Sequence, residues 1–168
     1  MDIEINEAVS LLDQVKIQAQ VLLPVIRAFR KELGEARANA VVRDALREWS
    51  RNLFHAIGAQ TPGAPLEKWM AMNTANMPRI ADAIDVDFLK HDAEVMEFNV
   101  TGCRYADFFR ALGEPELGGL LLCDADVYVA EVGGPDLEFR RTQTIMQGAK
   151  YCDFRYRMKA AVTPRQQP

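Results

Sequence analysis

Three cysteines, Cys103, Cys123 and Cys152, together with Asp126, carry most of the chemistry this sequence can offer. A thiol becomes a useful nucleophile only beside a donor, a cation or a helix N-terminus. Cys123 lies near a possible helix start at Asp124, a position expected to lower its pKa. Asp126 follows three residues later on the same helical face, where it can orient a water or a substrate nitrogen. Cys152 opens the run CDFRYR, in which Cys152, Phe154 and Tyr156 share one strand face and Asp153, Arg155 and Arg157 the other. The stretch 133–158 is therefore expected to form a hairpin turning about Gly148. Symmetric pairing about that glycine puts Thr144 across from Cys152, within side-chain reach. Thr144 and Thr142 are then candidate donors to charge developing beside the thiol.

Each cysteine also has a plainer reading, as the small buried hydrophobe that a free thiol most often is. Three thiolates plus Asp126 supply enough ligands for zinc, but no C-x-x-C spacing supports a dedicated cage. No metal is assigned on this pattern, and substoichiometric zinc is expected in purified protein. His55 shares a helix face with Asp44, Glu48 and Arg51, and His91 falls in a polar turn. Neither histidine is adjacent to a thiol, so a Cys–His pair has to be made by the fold. Arg140, Arg141, Arg155 and Arg157 form a basic group able to clamp a carboxylate bidentately. Alternatively they pair across the hairpin with Glu138 and Asp153.

These residues need elements to position them. Ser10 and Asp13 can cap a helix whose apolar stripe is Leu12, Val15, Ala19, Leu22, Ile26, Phe29 and Leu33. Gly34 is placed to end it, and Pro24 to kink or divide it. A second helix over 35–57 is expected to bury Val42, Leu46, Trp49, Leu53 and Ile57. After a loop at 58–65, Pro65 starts a third helix carrying Leu66, Trp69, Met77 and Ile80, with Pro78 interrupting its end. From Ile84 the period changes to two: Ile84, Val86 and Phe88, then Met96, Phe98 and Val100, predict two strands around a turn at 90–92. Cys103 leaves the second strand, and a short helix over 104–112 turns Tyr105, Phe108, Phe109 and Leu112 inward before Gly113. From Leu120 to Glu131 a helix is favoured, although VYVAEV can also form a strand. The pattern as a whole is α+β: an N-terminal helical layer on a C-terminal antiparallel sheet with inserted helices.

Length and composition set the outer limits. A chain of 168 residues supports one sizeable core, so one domain is expected, mainly helical over 1–83 and sheet-forming over 84–158, with a loose tail at 159–168. A net charge of −4 with no basic face argues against nucleic acid. No apolar run approaches a membrane span, and the acidic start MDIEINE does not resemble a signal peptide. Three widely separated cysteines, an odd number, point to a reducing cytoplasm with all thiols free.

The strings VTGCRYADFFRALGEPELGGLLLCDAD and RRTQTIMQGAKYCDFRYR closely resemble the bacterial L-2-amino-thiazoline-4-carboxylic acid hydrolase family. Cys103, Tyr105, Leu112, Gly113, Cys123, Asp126, Arg141, Thr142, Gly148, Cys152, Asp153 and Phe154 fill the places of its pattern, over residues 98–157. The resemblance implies a hydrolase that opens a cyclic isothiourea with water. The last strands also look distantly like the small-molecule-binding domains of vinyl-reductase type, which implies the alternative of a non-catalytic ligand-binding module.

The combined expectation is a metal-independent, cofactor-free hydrolase acting on a small cyclic amidine, isothiourea or amide that bears a carboxylate, with homo-oligomer formation left open. Cys152 is the first choice of nucleophile, with Thr142 or Thr144 as donor and Asp126 as proton carrier. Cys103 and Cys123 are pocket walls, or the nucleophile in place of Cys152. Arg141 holds the substrate carboxylate, with Asp153 and Tyr105 as further substrate contacts.

Overall fold

In the computed structural model, which describes residues 9–159, Ser10 caps the first helix by accepting a hydrogen bond from the Asp13 N–H. Helix α1 (Leu11–Leu33) ends at Gly34, whose φ of +80° suits a residue without a Cβ. Pro24 does not divide it. The proline lies on the exposed side, where the carbonyl it leaves unpaired can meet water. Ala19, Leu23 and Ile26 are buried, whereas Phe29 and Leu33, placed on the stripe by their spacing, stay 43% and 42% exposed.

Helix α2 (Glu35–Gln60) departs further from its pattern. Its buried residues are Ala38, Asn39, Ser50 and Gly58. Trp49 and Leu53, expected in the core, are 62% and 38% exposed. Small residues win here because they let the helix axis approach its neighbours: a Cβ on Gly58 would run into the backbone carbonyl of Val132. Helix α3 (Pro65–Ile80) starts at its proline and buries Leu66 and Trp69; it continues through Pro78 without a break.

The sheet is antiparallel throughout, its strands lying side by side in the order β1 (Ile84–His91), β2 (Val95–Cys103), β4 (Cys152–Met158) and β3 (Leu137–Arg140). Edge strand β1 (Ile84–His91) leaves Phe88 64% exposed, and central strand β2 (Val95–Cys103) ends on the first thiol. The turn between them falls later than expected, because the Asp92 carboxylate accepts the Glu94 and Val95 N–H groups. Helix α4 (Arg104–Ala111) buries Ala106 and Phe109, while Leu112 at its end is 43% exposed and not inward. The following stretch is helical, as favoured, but broken into pieces: α5 (Pro115–Leu121), a 3-10 turn (Cys123–Ala125), α6 (Asp126–Val129) and a second 3-10 stretch (Ala130–Asp136).

The closing hairpin needs a correction. Strand β3 (Leu137–Arg140) pairs with β4 (Cys152–Met158) through Leu137↔Met158, Phe139↔Tyr156 and Arg140↔Arg155. Residues 141–151 leave the ladder altogether, so Thr144 and Cys152 are not a cross-strand pair. Two local contacts divert the chain. Asp153 accepts the N–H groups of Thr142 and Gln143 at 2.9 Å each, and Thr144 caps a 3-10 turn (Ile145–Gln147) that closes at Gly148, φ +96°. The inner face of the sheet carries Val100, Cys152, Phe154 and Tyr156 against the helices. Its outer face presents Glu97, Glu138, Arg140, Asp153, Arg155 and Arg157 around an open depression. The acidic start and, of the loose tail expected at 159–168, all but Lys159 lie outside the described residues; the Lys159 N–H donates to the Asp136 carbonyl at 2.8 Å.

Candidate active site

β3 ends with Arg140 in the ladder, and the next residue turns inward. Arg141 donates through Nη1 to the Asp126 carboxylate and through Nη2 to the Cys123 carbonyl at 3.0 Å. Its guanidinium also stands 5.6 Å from the centre of the Phe154 ring, a cation–π arrangement. The Arg141 side chain is 11% exposed and that of Asp126 31%. Burial pushes the Asp126 pKa up, Arg141 opposes it by charge and hydrogen bond, and the balance is about 6. The acid is thus poised between its two protonation states close to neutral pH.

All three cysteines are free and border the same apolar cluster. Burial raises the pKa of each. For Cys123 the Asp126 charge adds to that rise, overturning the lowering expected from a helix start. The segment it begins is a three-residue 3-10 turn with little dipole to offer. Cys103 precedes α4, whose Ala106 and Tyr105 amides oppose the rise without cancelling it. Cys152 receives the Ile145 N–H on its sulfur at 3.2 Å, in place of the Thr142 or Thr144 hydroxyl expected from the sequence. The Asp126 charge acts on all three thiols and on Tyr105 and Tyr156. Tyr105 is itself raised to about 12 by burial. Arg141 thus pairs with the Asp126 carboxylate directly, and Cys103, Cys123, Cys152 and Tyr105 lie within range of its charge.

The other candidates stand elsewhere or are already engaged. The Thr142 hydroxyl donates to Asp153 at 2.7 Å, and the Thr144 hydroxyl accepts the Gln147 N–H at 3.2 Å. Neither donates to Cys152. Asp153 lies on the outer face of β4, where it holds the 142–143 backbone, so it is not beside the thiols. Among the described residues, no group of three or more His, Cys, Asp or Glu is placed to hold a metal ion. No described helix is long and apolar enough to cross a membrane.

Sequence reasoning missed a recess of about 300 Å³ between α2 and the 120–128 segment. Arg141 lines it, with Arg43, Arg47, Trp49, Ser50, Asp124 and Tyr128, over an apolar base that includes Leu46 and Leu120. The signal was present in Arg43 and Arg47, four residues apart on one helix face, but both could equally have been solvated. An aromatic wall was missed as well. Trp69 and Tyr156 lie 4.2 Å apart between ring centres and Phe139 and Tyr156 4.7 Å apart, and the buried Trp69 Nε1 has no hydrogen-bond partner.

Fold and site together define a small α+β protein with a half-buried, arginine-clamped acid and three free thiols. The chain belongs to the L-2-amino-thiazoline-4-carboxylic acid hydrolase family, whose model matches residues 14–156. The match reaches well beyond the 98–157 resemblance and takes in α2 and α3 and most of α1. The family is named for a hydrolase. No curated protein matches the chain. Among solved structures, the crystal structure of the phenol-responsive sensory domain of the transcription activator PoxR with phenol is similar at a TM-score of 0.43 and 15% identity, covering 82% of this chain and 72% of that one.

Proposed function

We propose that this protein hydrolyses a carbon–nitrogen bond in a small cyclic amidine, isothiourea or amide carrying a carboxylate, and that Asp126 moves the protons. The observation that carries this reading is the Asp126 carboxyl, whose pKa of about 6 suits both taking and giving a proton at neutral pH. With an amidine or isothiourea, the Asp126 carboxylate takes a proton from water while the water oxygen bonds to the C=N carbon. The C=N electron pair moves to the ring nitrogen, which receives that proton from Asp126. Collapse of the adduct forms C=O, and its hydroxyl proton passes through Asp126 to the ring nitrogen as the C–N bond breaks. The products are a carbonyl compound and a free amine.

Attack by a thiolate is the second reading, favoured by the Ile145 N–H aimed at Cys152 Sγ. Burial weighs against it, because each of the three groups is held as the thiol. Incubation with 2-amino-thiazoline-4-carboxylate and chromatographic detection of the ring-opened product separates the readings. Asp126→Asn should cut turnover by about 10²–10⁴-fold, and a protein with serine at 103, 123 and 152 should retain it. Loss of turnover in Cys152→Ser alone, with normal folding, would return the covalent route. Absence of turnover on any cyclic amidine or amide would leave a non-catalytic binding module.

A further inference from the structure

We infer that the recess between α2 and the 120–128 segment seats the substrate's carboxylate, gripped by Arg43 and Arg47 together with Arg141. The inference rests on the hydrolytic reading of Asp126 and supplies the binding site for that reaction. Three guanidiniums and one carboxylate, Asp124, face this small volume, in a chain whose net charge is −4. Arg43 and Arg47 stand on neighbouring turns of α2, where side chains four apart point to the same side.

Their present partners are easily exchanged. Arg43 meets Asp124 at 3.1 Å with both side chains over 40% exposed, and Arg47 meets Asp44 of its own helix at 3.1 Å. Such exposed, solvent-screened pairs contribute little, so an incoming anion competes with them on even terms. A carboxylate rather than a bare ion suits the site, because its planar oxygens match the guanidinium fork and the base of the recess is apolar. The volume of about 300 Å³ lies at the small end of ligand sites, room for one ring and its substituents. Asp126 does not itself line the recess, but Arg141 both lines it and pairs with Asp126, so a ring anchored at Arg43 and Arg47 lies one guanidinium away from the acid.

Trp49 lines the recess and Trp69, the other of the two tryptophans, is 5% exposed, so occupancy reads out in Trp49 fluorescence. Titration of the full chain with thiazolidine-4-carboxylate, whose saturated ring offers no C=N to open, should change the emission saturably. Thiazolidine-4-carboxamide, the same ring without the charge, should not. Arg43→Gln with Arg47→Gln should weaken carboxylate binding about tenfold or more, from the loss of charge-assisted hydrogen bonds, with an unchanged circular dichroism spectrum. No saturable response to the carboxylate, equal binding of the carboxamide, or undiminished binding by the double variant would each overturn the inference. The two readings fail separately. Unchanged KM and turnover in the double variant removes this site and leaves the hydrolase. Carboxylate binding lost in the double variant, with turnover indifferent to Asp126→Asn, keeps the site and removes Asp126 from the chemistry.

Discussion

Asp126 and Asp153 are both aspartates held by donors, yet their surroundings push them in opposite directions. For Asp126 burial dominates and raises the pKa to about 6 despite Arg141. For Asp153 burial also raises, but the Thr142 hydroxyl and the Thr142 and Gln143 N–H groups together outweigh it and hold the pKa below the ordinary value of 3.8. Its stabilising contribution is therefore present above the unfolded pKa and lost as pH falls through the folded one. Asp153→Ala should cost about 1–2 kcal/mol at pH 7, or a few degrees of Tm, and the difference from wild type should shrink in acid. Thermal melts at pH 7 and pH 3 measure this; equal Tm values at pH 7 would deny Asp153 its clamping part. The thiols behave differently from both acids. With burial raising all three, iodoacetamide at pH 7 should modify each more slowly than free cysteine, and one fast-reacting residue would point back to a nucleophile. Asp126 stood out in the sequence by its three-residue spacing from Cys123. The fate of Cys123 was not legible, since it depends on where a helical segment breaks.

At the scale of elements, the α+β order was legible from the change of period at Ile84, and Ser10, Gly34 and Pro65 act at helix ends as their types suggest. Which face of α2 is buried was not legible. A pattern of bulky apolar residues marks a helix, but the face that packs is chosen by what its neighbours allow, and here Ala38, Ser50 and Gly58 allow the closest approach. Gly58→Ala should accordingly destabilise the protein by about 1–3 kcal/mol, because the added methyl meets the fixed Val132 backbone rather than a side chain able to move. Gly119→Ala, with open space at the same atom, is the control. Equal unfolding midpoints for the two in urea would contradict the close packing of α2 on the 130–136 stretch. The hairpin failed differently. Period two correctly sorted Cys152, Phe154 and Tyr156 from Asp153, Arg155 and Arg157, but the Asp153 contacts that pull 142–143 out of the ladder are invisible to periodicity.

Across the whole molecule, the sheet pairs Val100 of β2 with Cys152 at the start of β4, so Cys103, three residues beyond Val100, leaves the sheet at the end where Cys152 enters it. The broken helical segment adds Cys123 and Asp126, and the departing end of β3 adds Arg141. Distant parts of the chain thus build one acid–arginine centre whose proton affinity is set by burial against charge. The most direct measurement is kcat/KM against pH on 2-amino-thiazoline-4-carboxylate for the wild type, Asp126→Asn and Arg141→Gln. If Asp126 is the base, the wild-type rate climbs with pH to a plateau with its midpoint near 6, and Asp126→Asn loses about 10²–10⁴-fold. Arg141→Gln removes the charge and hydrogen bond that hold this pKa down, so its midpoint moves to higher pH. A wild-type profile flat through this range, or one that Asp126→Asn leaves unchanged, would mean that the protons travel by another group.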